Sequence, residues 1–165
     1  MPNQSSAWLI ETTGGYKFAI AEYELIEYVM EPERQHIPLA PAYASSILLW
    51  QEKMIPIIDF GQLIPAQSHI NTSVAVLAYQ LKPGDELQYM GIEIKQAPKK
   101  IFIDDAQVCD SQDIDRGIWQ FLSNSWFSYD NEALPIINIS TLASAEFSQK
   151  AAQFISTAPS LLRVV

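Results

Sequence analysis

Short apolar runs separated by turn residues dominate this chain. Trp8–Thr12 and Tyr16–Ala21 flank Thr13-Gly14-Gly15, and a Gly-Gly pair tolerates the positive φ of a tight hairpin. Residues 22–30, EYELIEYVM, fit two periods. Leu25 with Val29 makes a helical face, whereas Tyr23, Leu25 and Glu27 share one face of a strand. Pro32, Pro38 and Pro41 make the next stretch largely loop. SSILLW and MIPIIDF around Gln51-Glu52-Lys53 predict a second hairpin. Pro56 lies inside its second run and has no N–H to give a ladder, so that strand is expected at an edge, a bulge or a strand start. Val74–Leu81 and Leu87–Lys95 are two further runs about Pro83-Gly84-Asp85, and Lys100–Ile103 reads as one more strand. DDAQVCDSQDID holds aspartates at 104, 105, 110, 113 and 115, too polar for a core element, and is expected to be an exposed connection. Ile118–Phe127 and Ala133–Ile139 then repeat the hairpin pattern about Tyr129-Asp130-Asn131-Glu132. In the tail, Phe147, Ala151 and Phe154 fall at helical spacing behind Ser144 as N-cap, which predicts a terminal helix. Roughly eight or nine short strands with few helices point to an all-β barrel or sandwich.

One phrase occurs twice. Residues 53–64 read KMIPIIDFGQLI and residues 132–143 read EALPIINISTLA. They share an aliphatic residue, Pro-Ile-Ile, Asp or Asn, and a Leu four positions on. Pro56 and Pro135 lie about half a chain apart, which suggests two copies of one structural unit with a groove between them. No Gly- or Ser-rich linker divides the 165 residues, so two lobes are expected to pack on one another within one domain, 1–165.

Composition narrows the functions. Hydrophobic residues make up 48% of the chain and charged residues 18%, enough apolar material for a core. A net charge of −9 argues against nucleic acid or an anionic membrane as partner. A single cysteine, Cys109, suits a reducing compartment, and the first fifteen residues have neither the cation nor the apolar run of a signal peptide. With no apolar run of membrane-spanning length, no membrane insertion is expected and the cytoplasm is the expected location.

Site chemistry is sparse. His36 and His69 sit on separate polar loops, where solvated histidines outnumber ligands and bases. Acidic neighbours disfavour the Cys109 thiolate, and no cysteine pair or Gly-x-Ser-x-Gly elbow occurs. Gly14-Gly15 lacks the lysine of a phosphate loop. Asp113–Gly117 resembles the start of a calcium loop but has Ile118 and Asn124 where that loop needs Gly and Glu. The aromatic residues have no basic groove beside them and are expected in the core. The expectation is a binding module, not an enzyme, without metal or cofactor.

Ile55-Pro56-Ile57-Ile58-Asp59-Phe60 resembles the "V-I-P-V-V-D-L" segment of CheW-like domains, the adaptors that couple chemoreceptors to a histidine kinase. Phe18–Val29 resembles the family strand ending "V-x-E-I", with Leu25 for the Val, Glu27 for the Glu and Tyr28 for the Ile. Pro41 and Tyr43 are similar to "P-x-F", Val74–Ile103 to the third quarter, and Leu134–Leu142 to the closing "L-L-D-L-x-x-L". The resemblance implies two small five-stranded, SH3-like β-barrels packed side by side. It also implies a non-catalytic, cofactor-free scaffold that docks a kinase regulatory domain on one face and a chemoreceptor signalling tip on another.

The family's "G-x-x-N-L-R-G" signature is altered. Ser46, Leu49, Gln51 and Glu52 replace its first Gly, Asn, Arg and second Gly, and Asn138 replaces the closing Asp. Gln lacks the charge and the donor fork of Arg, and Glu52 stands where Gly would favour positive φ. Leu25, Glu27 and Gln51 are the candidate partner-binding residues carried over from the family motifs. Against this, Leu25 reads equally as core and Glu27 as a solvated charge. Three functions remain open: a chemotaxis-type adaptor; a divergent regulatory binding module, for example in type IV pilus or twitching control; and a small-molecule-binding barrel or an enzyme with an unrecognised site.

Overall fold

The computed structural model describes residues 4–63, 73–110 and 118–157. The first half of the chain supplies β1 (Gln4–Glu11), β2 (Lys17–Ala21), β3 (Leu25–Val29), β4 (Arg34–His36), β5 (Ser46–Trp50) and β6 (Lys53–Ile58). The second half supplies β7 (Ser73–Tyr79), β8 (Gln88–Ile94), β9 (Lys99–Asp104), β10 (Val108–Cys109), β11 (Ser123–Tyr129) and β12 (Glu132–Ile137). Helices α1 (Ile118–Leu122), α2 (Ile139–Leu142) and α3 (Ala145–Thr157) complete the fold.

The strands form two six-stranded sheets, ordered β10-β11-β12-β2-β1-β9 and β3-β7-β8-β6-β5-β4. Each has one strand more than the expected five, and the shortest strand of each, β10 or β4, lies at an edge. The duplication is present but interleaved. Hairpin β1–β2 belongs to the first sheet, and the four strands after it build the second. Hairpin β7–β8 belongs to the second, and the four strands after it return to the first. Each lobe therefore takes strands from both halves of the chain.

The echoed phrases occupy equivalent places, β6 and β12, but neither proline-bearing strand is at an edge. Pro56 lies opposite Ile47 of β5 and Pro135 opposite Trp126 of β11. Each hairpin turns through two residues, so the pair next to the turn is hydrogen-bonded and alternate pairs after it are not. Counting back from Trp50↔Lys53 and Tyr129↔Glu132 puts both prolines at non-bonded pairs. On the other side of each strand the parallel ladder starts one residue later, at Ile57↔Gly91 and Ile136↔Ala19. No ladder N–H is needed where the proline sits. Asp59 and Asn138 then perform the same task, accepting the N–H of Gly61 (3.0 Å) and Ser140 (3.2 Å) to cap the short turn of helix that follows.

Other expectations shift locally. Residues 22–30 split into a 3-10 turn, Glu22–Glu24, and strand β3. The acidic segment is not all connection, since Val108 and Cys109 pair with Phe127 and Trp126. Ile118–Leu122 is helix because Ile118 and Leu122, one turn apart, bury one face. His36 lies on β4, exposed, and not on a loop. His69 and Asp113–Gly117 fall outside the described residues. Gly14 and Gly15 form the expected tight turn (φ +88° and +86°), and Ser144 Oγ caps α3 at Phe147 N (3.1 Å). Phe147 and Ala151 are buried as their spacing implied.

Alternation sorts the apolar residues into three cores. Leu48, Trp50, Ile55, Ile57, Val74 and Val76 fill the second lobe; Ala7, Ala19, Ile101, Ile103, Phe127 and Leu134 fill the first. The opposite faces of the same strands, including Ile10, Phe18, Ile20, Ala75, Leu77, Met90 and Ile92, meet in the largest core, at the seam. Val74–Tyr79 reads as a continuous apolar run because both its faces are covered. The second sheet curls until distant strands touch. Trp50 Nε1 on β5 donates to the Glu27 carboxylate on β3, and Arg34 on β4 grips Glu93 on β8 with two bonds, 2.6 and 2.8 Å.

Candidate functional site

The structure brings two of the three carried-over residues together. Glu27 is exposed on β3, yet its carboxylate reaches the Trp50 indole, the residue before Gln51. Gln51 is exposed at the tip of the β5–β6 turn, in left-handed conformation (φ +48°), as is Glu52 (φ +63°). Leu25 is separated from this pair. A bulge between Leu25 and Glu27 puts successive residues out of step. Leu25 is half-buried against the seam core, while Val29 packs into the lobe.

Beside Gln51 the hairpin carries an apolar outer face. Inward positions Leu48, Trp50, Ile55 and Ile57 are buried, so Ile47, Leu49, Met54 and Pro56 face out. Met54 is 69% and Leu49 39% exposed, and they are direct cross-strand partners. Beneath them the turn is braced from within the lobe. Lys53 Nζ lies 4.5 Å over the Tyr89 ring, which also packs 5.2 Å from Trp50. At the equivalent places in the first lobe, Trp126 and Pro135 are buried, and Ser128 and Ala133 stand where Leu49 and Met54 do here.

A groove crosses the seam where the chain passes from one lobe to the other. Two adjoining hollows, about 410 and 310 Å³, share Tyr23, Glu24 and Asn138 as a common wall. The first opens between β1, β2, β9, β10 and β12; the second lies over β7 and α2. Tyr23 is 83% exposed, and Ile26, Leu87 and Val108 are also exposed on the lining. Burial holds the Glu24 carboxyl above its usual range, although it accepts the Ala21 N–H at 2.8 Å. Glu22, on the same turn, is bonded to Lys100 at 2.5 Å, and that bond lowers its pKa.

Among the described residues no three His, Cys, Asp or Glu side chains gather as a metal would need, and no helix is long and apolar enough to cross a membrane. What these surfaces offer is apolar area edged by a few polar groups, the composition of docking faces. Outward Leu49 and Met54 were legible from alternation in SSILLW and MIPII. Tyr23, Glu24 and Ile26 were not, because the segment's period was ambiguous.

Comparison with known proteins supports this architecture. Neither protein-family descriptions nor characterised proteins yield a match by sequence. Solved structures do. The crystal structure of the scaffolding protein TtCheW from Thermoanaerobacter tengcongensis is similar with a TM-score of 0.68 and 15% identity, over 89% of this chain and 92% of that one. The chain has a CheW-like fold. At 15% identity the likeness is one of fold.

Proposed function

We propose that this protein is a non-catalytic adaptor of chemotaxis-type signalling, coupling a receptor to a histidine kinase by docking both. The observation that carries this reading is the two-lobed fold, which is that of a scaffolding protein, together with two separate unpaired surfaces on it. In this reading 1–165 acts as a single domain in the cytoplasm. The β5–β6 face, with Leu49 and Met54 at its centre and Glu27 and Gln51 at its edge, takes the regulatory domain of the kinase. The seam groove, lined by Tyr23, Glu24, Ile26, Leu87 and Val108, takes the receptor's helical tip. Buried apolar anchors would supply most of the affinity, and the polar residues would fix register.

The altered signature favours a specialised partner. Gln51 and Glu52 present no cation at the turn, so a partner that meets Arg in other CheW-like domains would meet a neutral and an acidic residue here. A dedicated pathway, such as control of pilus-driven surface motility, is the second reading. Retention of a purified histidine-kinase regulatory domain from the same cell tests the first. The wild-type protein should retain it and M54D should lose it. If folded wild-type protein retains none, the adaptor reading fails.

A further inference from the structure

The groove over Glu22–Glu24 has a sign as well as a shape. Glu24, Asp104 and Asp105 line it, and among the described residues no Lys or Arg does. Lys100 of β9 is already engaged by Glu22 of the turn. Asp104 holds the local backbone, accepting the Ala106 N–H at 2.8 Å, while Asp105 is exposed. Tyr23, Ile26, Leu87 and Val108 add rings and aliphatic chains to the same lining. A bare cation would have no use for that apolar area, and a wholly apolar helix would leave the carboxylates to be desolvated without a counter-charge. A Lys or Arg side chain satisfies both, because its stem lies along apolar surface while its head reaches a carboxylate.

We propose that the segment docked in this groove is an amphipathic helix carrying Lys or Arg beside its apolar stripe, the cations facing Glu24 and Asp105. The inference rests on the adaptor reading of the groove and adds the charge of its partner.

Two synthetic helical hairpins test it. They share one stripe of Leu and Ile at i, i+3, i+4 and i+7 and differ only in having Lys or Glu at the flanking positions. The Lys hairpin is expected to bind about tenfold more tightly at low salt, the gap closing at high salt. The gap should also close in the E24Q/D105K double variant, whose fold is checked by circular dichroism. Equal affinity for both hairpins, lost from both in I26D, would overturn the charge preference while leaving the groove a docking site. Failure of both hairpins to bind, or binding that I26D leaves unchanged, would overturn the groove reading with it.

Discussion

Replacing Glu52 by Gly should stabilise this protein. Gln51 and Glu52 form a two-residue turn with φ +48° and +63°, a geometry that Asn-Gly or Asp-Gly serves without strain. A residue with a Cβ in the left-handed region is disfavoured by about 1–2 kcal/mol. Gly removes that strain but loses more freedom on folding, a cost of about 0.5–1 kcal/mol. The net gain for E52G is about 0.5–1 kcal/mol, and Q51N adds a few tenths, roughly, because Asn tolerates the region better than Gln. The second hairpin provides the internal control. Its turn, Asp130-Asn131, has nearly the same angles (φ +49° and +64°) but residues suited to them, so N131G should change stability less. Urea unfolding reads the effect. With a slope of about 2 kcal/mol per molar, E52G should move the midpoint up by about 0.3–0.5 M. An unchanged or lowered midpoint, or a larger gain from N131G than from E52G, would refute the argument that strain is stored at this turn.

Gly91 sits where β6 and β8 run side by side, and an added Cβ would come 2.7 Å from Val74 Cγ1 and 3.4 Å from Ile57 Cγ1. G91A should lower stability by about 1–3 kcal/mol in urea titration, and V74A in the same chain should restore part of it, whereas additive losses would contradict the clash. Arg34 holds the buried Glu93 with two bonds, so R34A should cost about 2–3 kcal/mol and R34M/E93M less than R34A; the reverse order would show that the pair is not what secures β4. Because burial raises the Glu24 pKa in the folded state, that state holds the proton more tightly than the unfolded chain. Stability contributed by protonated Glu24 is present below the unfolded pKa and is lost as pH rises through the folded one. E24Q should therefore unfold at a higher midpoint than wild type at pH 7 and at the same midpoint in acid, and a wild-type advantage at pH 7 would oppose this.

The fold was legible where local pattern and global packing agreed. Gly14-Gly15, Pro83-Gly84-Asp85 and the turns at 51–52 and 130–131 each stand between apolar runs, so the hairpins could be read directly. The echo of Pro-Ile-Ile exposed the duplication because both copies meet the same demands, a ladder that begins after the proline and a capping Asp or Asn. The positions of those strands within the sheets could not be read. A proline forbids only a donated bond at its own nitrogen, and which neighbour that nitrogen faces depends on register. The interleaving of the halves was likewise hidden, since no local residue says which sheet a strand will join after a turn. Ile118–Leu122 misled because a five-residue apolar stretch fits either period. For the site, the family motif pointed to Gln51 and Glu27, and the Glu27 carboxylate accepts from Trp50, the chain neighbour of Gln51. Leu25 parted from Glu27 at a bulge that carries no residue signature, and the groove is assembled from residues scattered between Ser5 and Ser140.

The central claim is that two distinct faces hold two different proteins at once. Sedimentation of the purified protein with a receptor's cytoplasmic tip and a kinase regulatory domain from the same cell tests it directly. The account predicts a ternary complex that forms only when this protein is present, losing the kinase in M54D and the receptor in I26D. A tip and a kinase domain that compete for one face, or a folded protein that sediments alone beside both, would contradict it.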